Sequence, residues 1–142
     1  MRFPRFSILL ALLMFTSITI AQDLNKYQWK NRILILKDVN LNSDTLQNQL
    51  KKLQSNHEKL NDRELLLFLV TDTSVYNSQK DLTDLQPEAI IKKYDLNEFK
   101  GVVLIGKDGG IKLKEKFVVN PSTIFELIDG MPMRISEIKN KG

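Results

Sequence analysis

The chain has 142 residues, with 21 Lys and Arg against 17 Asp and Glu, one His and no Cys. The missing Cys excludes disulfides, thiol nucleophiles, Cys-bound zinc, iron–sulfur ligation and a lipid-anchored cysteine. The single His excludes any site that needs two. An apolar fraction of 42% with 27% charged residues is globular composition rather than disorder.

The first 21 residues read as a signal peptide. Arg2 and Arg5 make a basic start, and FSILLALLMFTSITI follows from Phe6 to Ile20. As a helix this run spans about 22 Å, short of the roughly 30 Å of membrane hydrocarbon. Thr19 and Ala21 place small residues at −3 and −1, so cleavage after Ala21 is expected. An uncleaved N-terminal anchor is the alternative. Residues 22–142 then form one domain, secreted or periplasmic, with no membrane contact after cleavage. Without Arg2 and Arg5 the net charge falls from +4 to +2, too even to argue for nucleic acid.

Arg32 to Lys37 (RILILK) is a short apolar, β-branched run, expected as a strand buried on both faces. Asp44 with Gln47 reads as a capping box, so Ser43 or Asp44 is the expected cap. Leu46, Leu50, Leu53, His57 and Leu60 follow at spacings of 4, 3, 4 and 3, the apolar stripe of one helix of about seventeen residues. Glu64 to Thr71 (ELLLFLVT) is a second buried strand, and Thr71 to Leu85 a polar surface loop. Pro87 opens a short helix to Tyr94 with Ile90 and Ile91 inward. Gly101 to Lys107 (GVVLIGK) is a third buried strand. Asp108-Gly109 predicts a two-residue hairpin turn with both residues at positive φ. In the strand that follows, Ile111, Leu113 and Phe117 face inward and Lys112, Lys114 and Lys116 outward, a guarded edge. Asn120-Pro121 starts a last helix to about Asp129, with Gly130 as its C′ residue.

The order β-α-β-α-β-β-α is that of an α/β thioredoxin-like fold: a four-stranded mixed sheet, spatial order 2-1-3-4, with flanking helices. A generic α+β sandwich is the alternative. The predicted core comprises Ile33, Ile35, Leu50, Leu53, Leu66, Phe68, Val103, Ile105, Leu113, Phe125 and Ile128.

This fold raises thiol chemistry, and the residues refuse it. The stretch where a reactive Cys would start the first helix is Asp38 to Asp44, and the loop before the third strand, Asn97 to Lys100, has no Pro. Disulfide exchange and peroxide reduction by this chain are excluded. Ser43 and His57 stand about 20 Å apart along one helix, too far for a nucleophile and its base. His57 itself reads as a partly buried, hydrogen-bonded core or rim residue, and no metal site is expected. Met131-Pro132-Met133 reads as a turn with apolar packing rather than a Cu(I) thioether pair. Lys107 to Gly110 is a hairpin, not a phosphate loop, because no helix N-terminus follows it. Asp38, Asn40, Asn42 and Asp44 lack the Gly and Glu of a calcium loop and read as capping and loop solvation. No catalytic residue and no cofactor is assigned.

Four segments carry a family resemblance: W-K-N-R-x-L-x-L from Trp29, N-D-R-E-L at Asn61–Leu65, L-I-G-K-D-G-G-x-K at Leu104–Lys112 and I-D-G-M-P-M-R at Ile128–Arg134. Together they resemble the domain-of-unknown-function 4174 family, over Asn25 to Glu137. The resemblance implies a small secreted bacterial protein, similar to domains of animal sushi-repeat-containing matrix proteins, with a thioredoxin-like or peroxiredoxin-like fold. It implies no catalytic residues.

In the expected topology all four segments reach one end of the sheet, opposite the vanished thiol site. Arg32, Asp62, Arg63, Lys107, Asp108, Asp129 and Arg134 are therefore the candidate ligand- or partner-binding residues. One reading is a structural ion-pair network in which Asp62, Asp129 or Glu137 engage the arginines, with Trp29 as its apolar lid. The other is a site in which Arg32 and Arg134 bind an anion and Asp62 or Asp129 orient them. The favoured function is a non-catalytic binding or envelope module that takes an envelope protein or a small anionic ligand. Two rivals stand beside it: a thiol-independent enzyme using Arg32, Asp62, Asp129 and Arg134, and a protein that binds disulfide-bearing partners without reacting.

Overall fold

β1 (Arg32–Lys37) is buried along its whole length and lies at the centre of the sheet. The computed structural model describes residues 23–142; the expected signal peptide and cleavage site fall outside the described residues. A single 3₁₀ turn (Leu24–Tyr27) leads into β1. Then follow α1 (Asp44–Gln54), α2 (His57–Asp62), β2 (Leu65–Val70), β3 (Val75–Asn77), α3 (Pro87–Tyr94), β4 (Gly101–Ile105), β5 (Ile111–Lys116), α4 (Pro121–Asp129) and α5 (Pro132–Lys141).

The sheet order is β3-β2-β1-β4-β5. β1 and β2 are parallel, with Arg32 opposite Leu65 and Lys37 opposite Val70. β4 runs antiparallel to β1, and β5 antiparallel to β4. This is the mixed, thioredoxin-like sheet expected, with one strand more. Successive β1 residues face opposite layers. Leu34 and Leu36 pack with Leu46, Leu50 and Leu53 of α1 and Ile124 and Ile128 of α4. Ile33 and Ile35 pack with Ile90, Ile91 and Tyr94 of α3 and with Leu24. No helix among the described residues is long and apolar enough to cross a membrane.

Several local expectations are corrected. The expected long helix is two. Ser55 Oγ and Asn56 Nδ2 both donate to Lys52 O, at 2.9 and 2.8 Å, so side chains compete for the carbonyl that continues the helix. The chain turns at Ser55–Asn56, and His57 leaves the leucine stripe and is exposed. Of the two expected caps of α1, the structure uses Ser43, whose Oγ accepts from Leu46 N, and not Asp44. The polar segment after β2 contains the three-residue edge strand β3. Its entry turn is made by Thr71, whose N donates to Ser74 O while its Oγ1 accepts from Ser74 N.

The β4–β5 hairpin is longer than two residues. Gly106 N donates to Gly110 O and Gly109 N to Gly106 O, and Gly109 alone of Asp108-Gly109 has positive φ, +86°. This is a turn closed by a left-handed glycine, and the register shifts at Leu104/Ile105. The shift leaves Ile111 exposed and Leu113 half-buried. Leu66 is also half-buried, while the other nine predicted core residues are buried. Gly130 ends α4 at φ −84°, so it is not a left-handed cap. The chain enters α5 with Pro132 at its first turn, where Met131-Pro132-Met133 was expected to form only a turn.

Candidate functional site

Arg32 opens β1, Arg63 and Glu64 precede β2, and Lys107 follows β4. Because β1 and β2 are parallel and β4 is antiparallel to β1, these residues share one end of the sheet. α4 ends at Asp129 and α5 then crosses this end.

Glu137 on α5 is the centre of the arrangement. Its carboxylate accepts from Arg32 Nη1 and Nη2, both at 3.1 Å, and from Lys107 Nζ at 2.5 Å. Lys107 also donates to Glu64 at 2.9 Å. Arg63 forms a bidentate pair with Asp129, at 3.0 and 2.7 Å, and its guanidinium lies 4.7 Å from the centre of the Phe125 ring. Arg134 donates to Asp129 Oδ1 at 3.2 Å, to Asp62 Oδ2 at 2.5 Å and to Asp62 O at 2.8 Å. Lys141 adds a contact to Asp62 at 3.2 Å. Asp62 and Asp129 each end a helix, where the macrodipole disfavours a carboxylate. The arginines provide the positive charge that α4 lacks in its own last turn.

Arg32, Lys107 and Arg134 are buried. Burial raises the Glu137 carboxyl, but hydrogen bonds from Arg32 and Lys107 outweigh it and hold the group below its ordinary value. Asp129 behaves the same way, burial being outweighed by Arg63 and Arg134. Asp62 is lowered chiefly by the Arg134 hydrogen bond and Asp108 by that of Lys112. Burial lowers Arg134, and its hydrogen bonds to Asp62 and Asp129 reverse the sign and raise it.

Among the candidates, Arg32, Asp62, Arg63, Lys107, Asp129 and Arg134 form this network, while Asp108 sits at its rim in an exposed pair with Lys112 at 2.9 Å. Arg32 is engaged by Glu137, a partner the ion-pair reading included, rather than oriented by Asp62 or Asp129 as the anion-site reading had it. Trp29 is no lid: it is 62% exposed, tied by its N to Lys107 O at 2.7 Å. Glu64, Lys112 and Lys141 were not foreseen. Lys141 had a signal, lying seven residues beyond Arg134 and so on the same helix face.

Beside the network lies a cavity of about 330 Å³, lined by Arg32, Lys107, Asp108 and Lys112 together with Met131, Pro132 and Met133. Arg32 Nε is buried without a hydrogen-bond partner.

The opposite end of the sheet, which a thiol would occupy, is more than solvated loop. Lys37 is fully buried and paired with Asp72 at 2.8 Å. Asp38 is also buried, accepting from Val39 N and Ser43 Oγ. No group of three or more His, Cys, Asp or Glu residues among the described residues is arranged to hold a metal ion.

The sequence model described as a domain of unknown function, DUF4174, matches residues 23–137. The chain belongs to the DUF4174 family. All the network residues named above except Lys141 fall within the matched span. No curated protein matches the DUF4174 chain by sequence. Among solved structures it is similar to a Plasmodium vivax 2-Cys peroxiredoxin in its reduced form. That match has a TM-score of 0.57 and 14% identity, and covers 80% of this chain and 84% of the other. At this identity the likeness shows the thioredoxin-like fold alone. This DUF4174 chain has no Cys with which to repeat that protein's named chemistry.

Proposed function

We propose that the chain is a secreted, non-catalytic binding module of the bacterial envelope, which takes the anionic end of a small amphiphilic ligand in the cavity beside the ion-pair network. The cavity carries the reading. Its lining combines the buried cations Arg32 and Lys107 and the exposed Lys112, which holds Asp108, with the apolar Met131, Pro132 and Met133. Three cations against one carboxylate, beside apolar side chains, suit a carboxylate joined to a short hydrocarbon body. The network supports the site by holding the cations rigid before a ligand arrives.

The rival reading, a thiol-independent enzyme, finds less support. A general acid or base works best with a pKa near the operating pH. Asp62, Asp108, Asp129 and Glu137 are all displaced downward, away from neutrality.

Octanoate is the probe and 1-octanol its uncharged match. With the Met methyl groups labelled, octanoate is expected to shift the Met131 and Met133 resonances, and 1-octanol to do so several-fold more weakly. Lys112→Ala should weaken the octanoate response and leave the fold intact. Absent shifts, or equal shifts for both probes, overturn the reading. Export is tested separately: expression in a bacterial host should yield an envelope or medium fraction whose N-terminus is Gln22.

A further inference from the structure

The two edges of the sheet are built differently. β5 forms one edge and carries Lys112, Lys114 and Lys116, charges that discourage another strand from pairing there. At the other edge β3 is three residues long and covers only Phe68 to Val70 of β2. Beyond Asn77 the chain turns away, with Lys80 N donating to Asn77 O. Leu65, Leu66 and Leu67 have no strand beside them on that side.

Their backbone parity can be read from the β1 pairing. Arg32 N donates to Glu64 O and Asp38 N to Val70 O, so even-numbered residues of β2 turn toward β1. Leu65 and Leu67 therefore turn their N–H and C=O to the open side, and neither has a partner there among the described residues. An unpaired strand edge is a template for another chain. These four face a groove of about 600 Å³.

The groove has the form of a strand slot. On one face stand Gln54, His57 and Leu60, and on the other Tyr27 and Leu66; the Asn77–Gln79 turn bounds it. None of its lining residues is Asp, Glu, Lys or Arg. The occupant that satisfies outward N–H and C=O groups at every second residue, between a mixed wall of Gln54, His57 and Leu60 and an apolar one of Tyr27 and Leu66, without a charged rim, is an extended uncharged peptide.

We propose that the open half of the β2 edge binds an extended, uncharged segment of a partner protein as an added strand, with apolar residues at alternate positions. Backbone pairing with Leu65 and Leu67 supplies affinity, and the two walls select the alternate side chains. This site does not rest on the cavity at the ion-pair end.

The test is hydrogen exchange by NMR on the full described chain. The probe is a pool of capped peptides about five residues long, alternating Thr with Val, Leu, Ile or Phe. At millimolar peptide, exchange at the Leu65 and Leu67 amides should slow by about tenfold, with amides of β5 unchanged. A pool N-methylated at every residue should lose the effect. No protection with the native pool, or equal protection with the N-methylated one, overturns the proposal. Protection that grows with protein concentration and without peptide shows that a second copy fills the edge, and overturns it too.

Discussion

Arg32 and Glu137, 105 residues apart in the chain, form a two-pronged pair at 3.1 Å on both prongs, in which the arginine is 1% and the glutamate 17% exposed. The pair joins the first strand to the last helix. α5 has a short contact with α4, and its buried residue is the charged Arg134. Its attachment is electrostatic more than apolar.

Glu137→Gln should therefore be costly. It leaves Arg32 and Lys107 buried with reduced compensation, and breaking a buried pair costs about 3–5 kcal/mol. The partial exposure of Glu137 puts the expected loss near the lower limit. Glu64→Gln removes an exposed partner of Lys107 that still keeps Glu137, so solvent screening holds its cost within about 1 kcal/mol. Urea unfolding of the two variants checks the ranking; equal losses would show that Glu137 is not the centre of the network.

Acid should release α5 first. Glu137, Asp129 and Asp62 are all held below their unfolded values, so their contribution is full above the ordinary carboxylate range, roughly pH 4. It is lost as pH falls through the lower folded values. Urea midpoints taken downward from neutral pH should be flat and then drop below about pH 4. In Glu137→Gln the drop should be shallower. A stability that rises on acidification contradicts the pairing.

At the start of α1, Ser43→Ala should cost about 0.5–2 kcal/mol, because Ser43 both caps Leu46 N and donates to the buried Asp38. Asp44→Ala loses only a favourable charge in the first turn, about 0.3–1 kcal/mol. Thermal unfolding distinguishes them, and the reverse order would return the cap to Asp44.

Trp29 adopts φ +67° with its side chain largely in solvent. Left-handed backbone costs a non-glycine residue of order 1 kcal/mol, and glycine removes that strain. Trp29→Gly should leave stability unchanged or raise it by up to about 1 kcal/mol. A loss larger than that, by urea unfolding, would show that the indole does cover the hairpin.

How much of this was legible in the sequence varied by element. RILILK, ELLLFLV and GVVLIGK are long apolar runs, and each became a strand in its expected place with its expected direction. Burial of such a run involves many contacts, so no single local choice reverses it. The convergence of Arg32, Arg63 and Lys107 at one end follows from strand direction, since a parallel pair starts at the same pole and an antiparallel neighbour ends there; Asp129 and Arg134 join them because α4 starts at the opposite pole and returns. By contrast, β3 is too short to show a period, and the helix break at Ser55–Asn56 turns on two side-chain hydrogen bonds that a stripe of leucines does not reveal.

Which carboxylate holds which arginine belonged to the folded molecule. Arg32 has Asp62, Asp129 and Glu137 on neighbouring elements, and an ion pair is chosen by ångström-scale geometry that chain order does not carry. Residues 132–141 show the same limit. In isolation they are a proline, four charged residues and scattered apolar side chains; as α5 they turn Arg134 and Glu137 inward, because only the assembled sheet end offers those charges partners.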